Sequence, residues 1–217
     1  MPWTPDPDRA AAWAWLHARW QARCPAWQVI EVQVPPVRFN AAQAVNRGAR
    51  EANAEVLVIA YADTLVDEEW LVAAVAQVNR RTPVVAPQTV GHLGRFETAD
   101  LLAFAPGSDV SIDVNGPLVE YRSQGWPGVA VTTQRHLLRV PFDETFVGAA
   151  YEGDAWLRAS EALGGRVARH GAALHLWHPT PPETTWAARE GVTNRARYDQ
   201  YMRADEESMR ILVESLK

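Results

Sequence analysis

One cysteine, Cys24, stands in 217 residues. That excludes an intrachain disulfide and any metal cluster held by thiolates alone, so a bound cation would have to rest on carboxylates and imidazoles. Lysine is as scarce: Lys217 closes the chain and arginine carries the rest of the basic charge. The bias favours planar, bidentate contacts of the kind phosphates accept. No apolar run approaches the roughly 20 residues that a membrane-spanning helix needs, so no membrane insertion is expected. MPWTPDPDRAAAW opens with prolines and acids instead of a basic stretch followed by an apolar one, which gives no sign of a secretory signal and points to the cytoplasm. A formal charge of -5 gives no overall attraction to nucleic acid or to an anionic membrane.

What is present reads as one globular domain. Hydrophobic residues make up 47% and charged ones 22%, an ordinary folded composition. A chain of this length buries roughly 70 to 75% of its unfolded surface, enough for a complete core.

Apolar periodicity alternates between helix and strand. In PDPDRAAAWAWLHARWQARC, Asp6 suits a cap, Pro7 suits the first turn, and Trp13, Leu16, His17 and Trp20 recur at helical spacing. WQVIEVQV, residues 27–34, is β-rich and stops at Pro35 and Pro36. NAAQAVNRGAREAN puts small residues on one helical face, letting it lie close to a sheet. EVLVIA is a continuous apolar run, the mark of a strand covered on both faces, and it ends at Tyr61, Ala62 and Asp63. Asp63 therefore sits at a strand's carboxyl end, where ligands of open α/β sheets bind. Asp67 is placed to cap DEEWLVAAVAQVNRR, with acids in its first turn and arginines in its last.

TPVVAP and GVAVTT read as strands, QRHLLRV as a helical turn, and residues 88–127 as a loop-heavy segment over the site. EGDAWLRASEAL is a helix closed by Gly164 and Gly165, RVARHGAALHLWH is extended, and NRARYDQYMRADEESMRILVESL is one long polar helix expected to dock on the outside. The fold class is α/β, a mostly parallel central sheet flanked by helices. Within the single domain 1–217, residues 1–90 read as one half, 91–180 as a second, and 181–217 as the docking helix.

Three stretches, RFNAAQAVNRGAREANAEVLVIAYADT, WPGVAVTTQRHLLRVPFDETFVGAAYEGDAWLRASEALGG and HLWHP, together resemble nucleotide-sugar-dependent glycosyltransferases of the A-type fold. More narrowly, the chain is similar to the galactosyltransferase-like branch and to short glycosyltransferases of bacteriophages and actinobacteria, from Arg9 to His178. The resemblance implies that Asp63, last of Tyr61-Ala62-Asp63, holds a divalent cation bridging the donor diphosphate; Tyr61 replaces the usual first aspartate. GAAYEGD corresponds to a G-W-G-x-E-D-D stretch, keeping Glu152 and Asp154 but placing Gly153 where inverting members carry the likely base. By the same resemblance, Gly128 lies near the donor sugar, Phe39 and Asn40 beside the nucleotide, and Arg9 near the donor. The family's first strand normally precedes that arginine, so either the sheet is one strand short or the chain begins late.

Sugar transfer needs a stabilised diphosphate leaving group, and a hard divalent cation held by oxygen and imidazole ligands supplies that. Asp63, His175 and His178 are the candidate ligands, with manganese or magnesium as the ion. Residues three apart on a regular strand face opposite ways, so HLWH must bend for both histidines to converge. The acceptor hydroxyl needs a base, and Asp154 is favoured for that role with Glu152 on a sugar or acceptor hydroxyl. Plainer readings stand beside these: Asp63 as a turn former, the histidines as partners of backbone carbonyls, and Glu152 and Asp154 as acids at a helix start. The expected activity is a metal-dependent, inverting transfer from a nucleotide-diphosphate sugar, a uridine one, to a DNA hydroxymethyl base, a glycan or a protein hydroxyl. Tyr61 and Gly153 motivate the alternative of a catalytically silent nucleotide-sugar-binding protein.

Overall fold

Helices and strands intersperse along the described residues of the computed structural model, which are 2–3, 7–33, 40–148, 151–179 and 186–217, without the side chains of 2–3, 7–9 and 186–192. In order, the elements are β1 (Pro2–Trp3), α1 (Pro7–Arg23), β2 (Val32–Gln33), α2 (Ala41–Glu51), β3 (Val56–Ala60), β4 (Thr64–Val66), α3 (Glu68–Gln77), β5 (Val84–Ala86) and β6 (Thr89–Leu93). There follow α4 (Arg95–Leu102), β7 (Val119–Ser123), β8 (Val129–Thr133), α5 (Gln134–Arg139), α6 (Glu152–Gly164), β9 (Val167–Arg169), β10 (Ala172–His175), α7 (Trp186–Arg203) and α8 (Glu206–Glu214).

The central sheet has the order β3-β8-β5-β9. Strands β3, β5 and β9 share one direction, as the strand and helix alternation implies, and β8 runs against both of its neighbours. Its direction has a simple cause: the chain returns from the carboxyl end of β3, where Val129 faces Ala60, and must run back along it. A second sheet, β4-β10-β6-β7, joins three strands from the chain between β3 and β8 with β10, which follows the last strand of the central sheet. Residues 88–127 are thus more ordered than their glycine, proline and polar content suggests, since β6, α4 and β7 lie within them.

Of the strand expected over 27–34, Val32 and Gln33 pair among the described residues, and a strand does precede Arg9: Pro2–Trp3 lies parallel to β2. At the start of α3, Asp67 occupies the cap position without a side-chain capping bond, and Arg80 and Arg81 fall beyond its last turn. The C-terminal segment is two helices instead of one outer helix. Asp205 breaks it by capping α8, accepting from the Ser208 amide at 2.9 Å. Tyr201, Met209 and Val213 are buried in the same core as Trp156, Leu157 and Phe142. An aromatic and two aliphatic side chains gain too much by leaving water for these helices to lie loosely outside. Among the described residues, no helix is long and apolar enough to cross a membrane.

Candidate functional site

The candidate site residues gather at the carboxyl end of β3. The Tyr61 amide donates to the Gly128 carbonyl at 2.8 Å, the last tie of this strand to the β8 side, and the chain then turns through Ala62 and Asp63 into β4. Gly128 takes a left-handed φ of 72° and lies so close to the Thr64 hydroxyl that a Cβ there has no room. Asp63 is 6% exposed. Its backbone carbonyl accepts from the Leu176 amide at 2.8 Å, in register with the β4–β10 pairing, which keeps the chain beside Asp63 one residue past His175. The strand itself ends at His175, which gives the bend HLWH requires: His178 Nε2 lies 3.6 Å from Asp63 Oδ2 and His175 Nε2 lies 4.0 Å from Oδ1. The three residues offer one carboxylate oxygen and two imidazole nitrogens within 4.8 Å of one another. This is the donor set and spread of a divalent-cation site of mixed oxygen and nitrogen ligation, so the residues fit such an ion.

On the other side of the same three-residue turn stand the acids. Tyr61 donates its hydroxyl hydrogen to Glu152 Oε1 at 2.9 Å. Glu152 is buried, and burial raises its pKa above the usual carboxylate value, countered in part by hydrogen bonds from its own amide and from Tyr61. Burial, reinforced by the Glu152 charge, pushes the Tyr61 phenol well up, so it stays protonated and remains a donor. Asp154 is half-buried and its pKa is also raised by burial; the charge of Arg169 and the Trp126 amide pull it back. The pair therefore divides, with Glu152 turned inward to Tyr61 and Asp154 left at the accessible surface of the site.

Gly153 has a packing reason. A Cβ at this position would fall inside the Trp126 indole. That ring is in turn wedged edge-on against Tyr61, Phe142 and Trp156, with centroids 5.8, 5.8 and 6.0 Å away. Where the family resemblance places an acid, this chain has an aromatic plug. Just before α6, Tyr151 adopts a left-handed φ of 79°, alone among the described non-glycine residues, and stacks on Tyr198 of α7 at 5.0 Å. Such a conformation is strained for a bulky side chain.

Other expected site residues fall differently. Asn40 caps α2, accepting from the Gln43 amide at 2.8 Å and donating to the Glu144 carbonyl at 2.8 Å, so its side-chain groups are engaged in holding the helix start. Phe39 and the Arg9 side chain lie outside the described residues. An apolar cavity of about 420 Å³ runs along β3, lined by Trp27, Ile30, Ala44, Val56 and Val58, and stands apart from the acids and histidines.

Sequence reading passed over His92. Its ring lies beside His175 at 5.0 Å, and burial, with the neighbouring His175, lowers its pKa to about 4, so it is neutral. A single histidine in TVGHL carries no motif; only strand register reveals it. Arg169, the counter-charge of Asp154, likewise belongs to no motif; β9 brings it to the site.

No protein-family model and no curated protein matches the chain. Solved structures do. The catalytic domain of a Drosophila β1,4-galactosyltransferase 7 in complex with xylobiose is matched over 89% of this chain and 76% of its own, at 13% identity and a TM-score of 0.50. Glucosyl-3-phosphoglycerate synthase from Mycobacterium tuberculosis, in complex with Mn2+, UDP-glucose and phosphoglyceric acid, is matched over 93% of this chain and 77% of its own, at 13% identity and a TM-score of 0.50. A second Drosophila galactosyltransferase structure, a mutant with manganese, UDP-Gal and xylobiose, is matched over 77% of this chain, which spans 63% of that chain's length, at 15% identity and a TM-score of 0.48. At these identities the likeness is one of fold: a mixed α/β architecture of two sheets flanked by helices, the A-type glycosyltransferase fold.

Proposed function

We propose that the protein is a cation-dependent glycosyltransferase that moves a sugar from a nucleotide diphosphate, a uridine one, to a hydroxyl acceptor with inversion. The observation that carries this reading is the convergence on one turn: Asp63 faces His175 and His178, and Tyr61, two residues earlier, is bonded to Glu152. The Mycobacterium tuberculosis synthase named above, in complex with Mn2+ and UDP-glucose, supports the choice of donor and ion.

Asp63, His175 and His178 would hold the cation, manganese or magnesium, which when bound supplies Lewis-acid stabilisation to a leaving diphosphate. Asp154 is the base that takes the acceptor's hydroxyl proton, since its burial raises its proton affinity while Arg169 keeps the ionised form accessible. Glu152 fixes Tyr61 and, through it, the turn that carries Asp63. Gly128 is assigned to the donor sugar, Arg9 to the donor, and Phe39 and Asn40 to its nucleotide, Asn40 through the helix start that it caps.

The test is donor hydrolysis: a panel of nucleotide-diphosphate sugars with and without manganese, reading release of nucleoside diphosphate, beside Asp63→Ala and Asp154→Ala. Cation-dependent release from one donor, lost in Asp63→Ala, is the expected result. No turnover of any donor, with or without acceptors, would sink it. A second reading, a nucleotide-sugar-binding protein without turnover, is favoured by Trp126 filling the place of an acid at Gly153; binding without turnover would select it. Among acceptors, a modified DNA base is separated from a glycan or protein hydroxyl by a DNA affinity that falls steeply with salt.

A further inference from the structure

We propose that His92 is a positioning residue for the cation site: clamped between Tyr121 and His175, its ring holds the His175 imidazole facing Asp63. This rests on the cation reading above and adds to it a residue outside the ligand set.

Register places the rings in one row. His175 of β10 lies opposite His92 of β6, and His92 lies opposite Tyr121 of β7. Directly opposed residues of neighbouring strands project on the same face, so the three side chains stand side by side. The Tyr121 and His92 rings stack with centroids 4.1 Å apart and planes 10° apart; His92 and His175 follow at 5.0 Å and 38°. His92 is pinned in its own plane by a hydrogen bond between Nε2 and the Ser123 hydroxyl at 2.9 Å. The ladder between β6 and β7 also shifts register between His92 and Leu93, a bulge of the kind that re-aims side chains near functional sites.

The need for such a clamp follows from where His175 sits. It is the last residue of β10, its side chain is 30% exposed, and beyond it the chain leaves the sheet towards Asp63. An imidazole at a strand end has rotamer freedom that ligation would have to remove, and a neighbour already fixed on both sides removes it in advance. Tyr121, 58% exposed on β7, keeps its ring flat on His92 although burial does not hold it there.

The probe is Mn2+ itself, titrated into the intact protein and read as free ion by electron paramagnetic resonance. His92→Ala is expected to weaken Mn2+ binding by about 10- to 100-fold, the usual cost of losing a group that orients a ligand. His92→Phe restores a flat ring in the stack and is expected to recover most of that loss. Val90→Ala, a buried position on the same strand, is expected to lower the melting temperature while leaving Mn2+ affinity unchanged. Equal affinity in wild type and His92→Ala, or a His92→Phe variant no better than His92→Ala, would overturn the proposal. Failure of the cation reading looks different: wild type without Mn2+ affinity, or affinity that survives Asp63→Ala, removes the site and this role with it.

Discussion

The Tyr61 hydroxyl donates to the Glu152 carboxylate across 2.9 Å, so the residue two places before Asp63 is tied to the first acid of α6. Tyr61→Phe removes the donor and leaves a buried carboxylate one bond short, which costs about 1–3 kcal/mol. The same bond lowers the raised pKa of Glu152, so its loss raises that value further. A group whose folded pKa lies above its unfolded one penalises the folded state when ionised, and the penalty fades as pH falls through the folded value. Denaturant unfolding of wild type and Tyr61→Phe should therefore differ most at neutral pH and converge on acidification; a gap that widens at low pH would refute the pairing.

Gly153 and Trp126 form one packing unit. Gly153→Ala puts a methyl into the indole and should cost about 1–3 kcal/mol, the usual range for overpacking a filled core. In a Trp126→Ala background the same substitution has space and should cost little. Unfolding free energies of the four proteins in this cycle give the coupling directly. Additive effects would show that the ring is not what keeps position 153 a glycine.

The legible parts of this site were those set by short-range chemistry. The apolar run 56–60 followed by Asp63 marked a strand end, and EGD marked a helix start, because burial and dipole effects act within a few residues. The convergence of His175 and His178 on Asp63 was not readable from spacing. It depends on the Asp63 carbonyl taking the Leu176 amide, a bond between residues more than a hundred positions apart. His92 was invisible for the same reason, since its neighbours Tyr121 and His175 come from other strands. In the C-terminal segment Tyr201 and Met209 stand out as packing residues; what its polar surface hid is the break at Asp205 and the burial of both helices against α6.

Asp143 locks α7 to the loop before α6. Its carboxylate accepts from Arg197 Nε at 2.7 Å, from the Tyr201 hydroxyl at 2.9 Å and from the Thr145 hydroxyl at 2.7 Å. Burial alone would raise its pKa, but bonds from Thr145 and Arg197 outweigh it and the value is lowered. A depressed folded pKa contributes stability that is present above the ordinary carboxylate value and is lost as pH falls through the folded one. Asp143→Asn leaves Arg197 without its buried partner and should cost about 3–5 kcal/mol at neutral pH. Its stability should then be flatter than wild type across the acid range, checked by melting temperature against pH.

Asp154 carries the kinetic prediction. If it takes the acceptor proton, kcat/KM must fall as pH drops through its folded pKa, because the protonated acid cannot act as a base. Burial raises that pKa, so the acid limb should lie above the ordinary carboxylate value of about 3.9. Arg169 is the charge that opposes the rise. Arg169→Gln removes a cation beside a half-buried carboxylate, which favours the protonated form, so the limb should move to higher pH while the rate well above it is largely kept. Should Glu152 be the base instead, Arg169→Gln would leave the limb in place, since Arg169 is not among the groups that set the Glu152 pKa, whereas Tyr61→Phe would raise it. A pH profile of the two variants beside wild type therefore assigns the proton acceptor between two carboxylates that stand two residues apart.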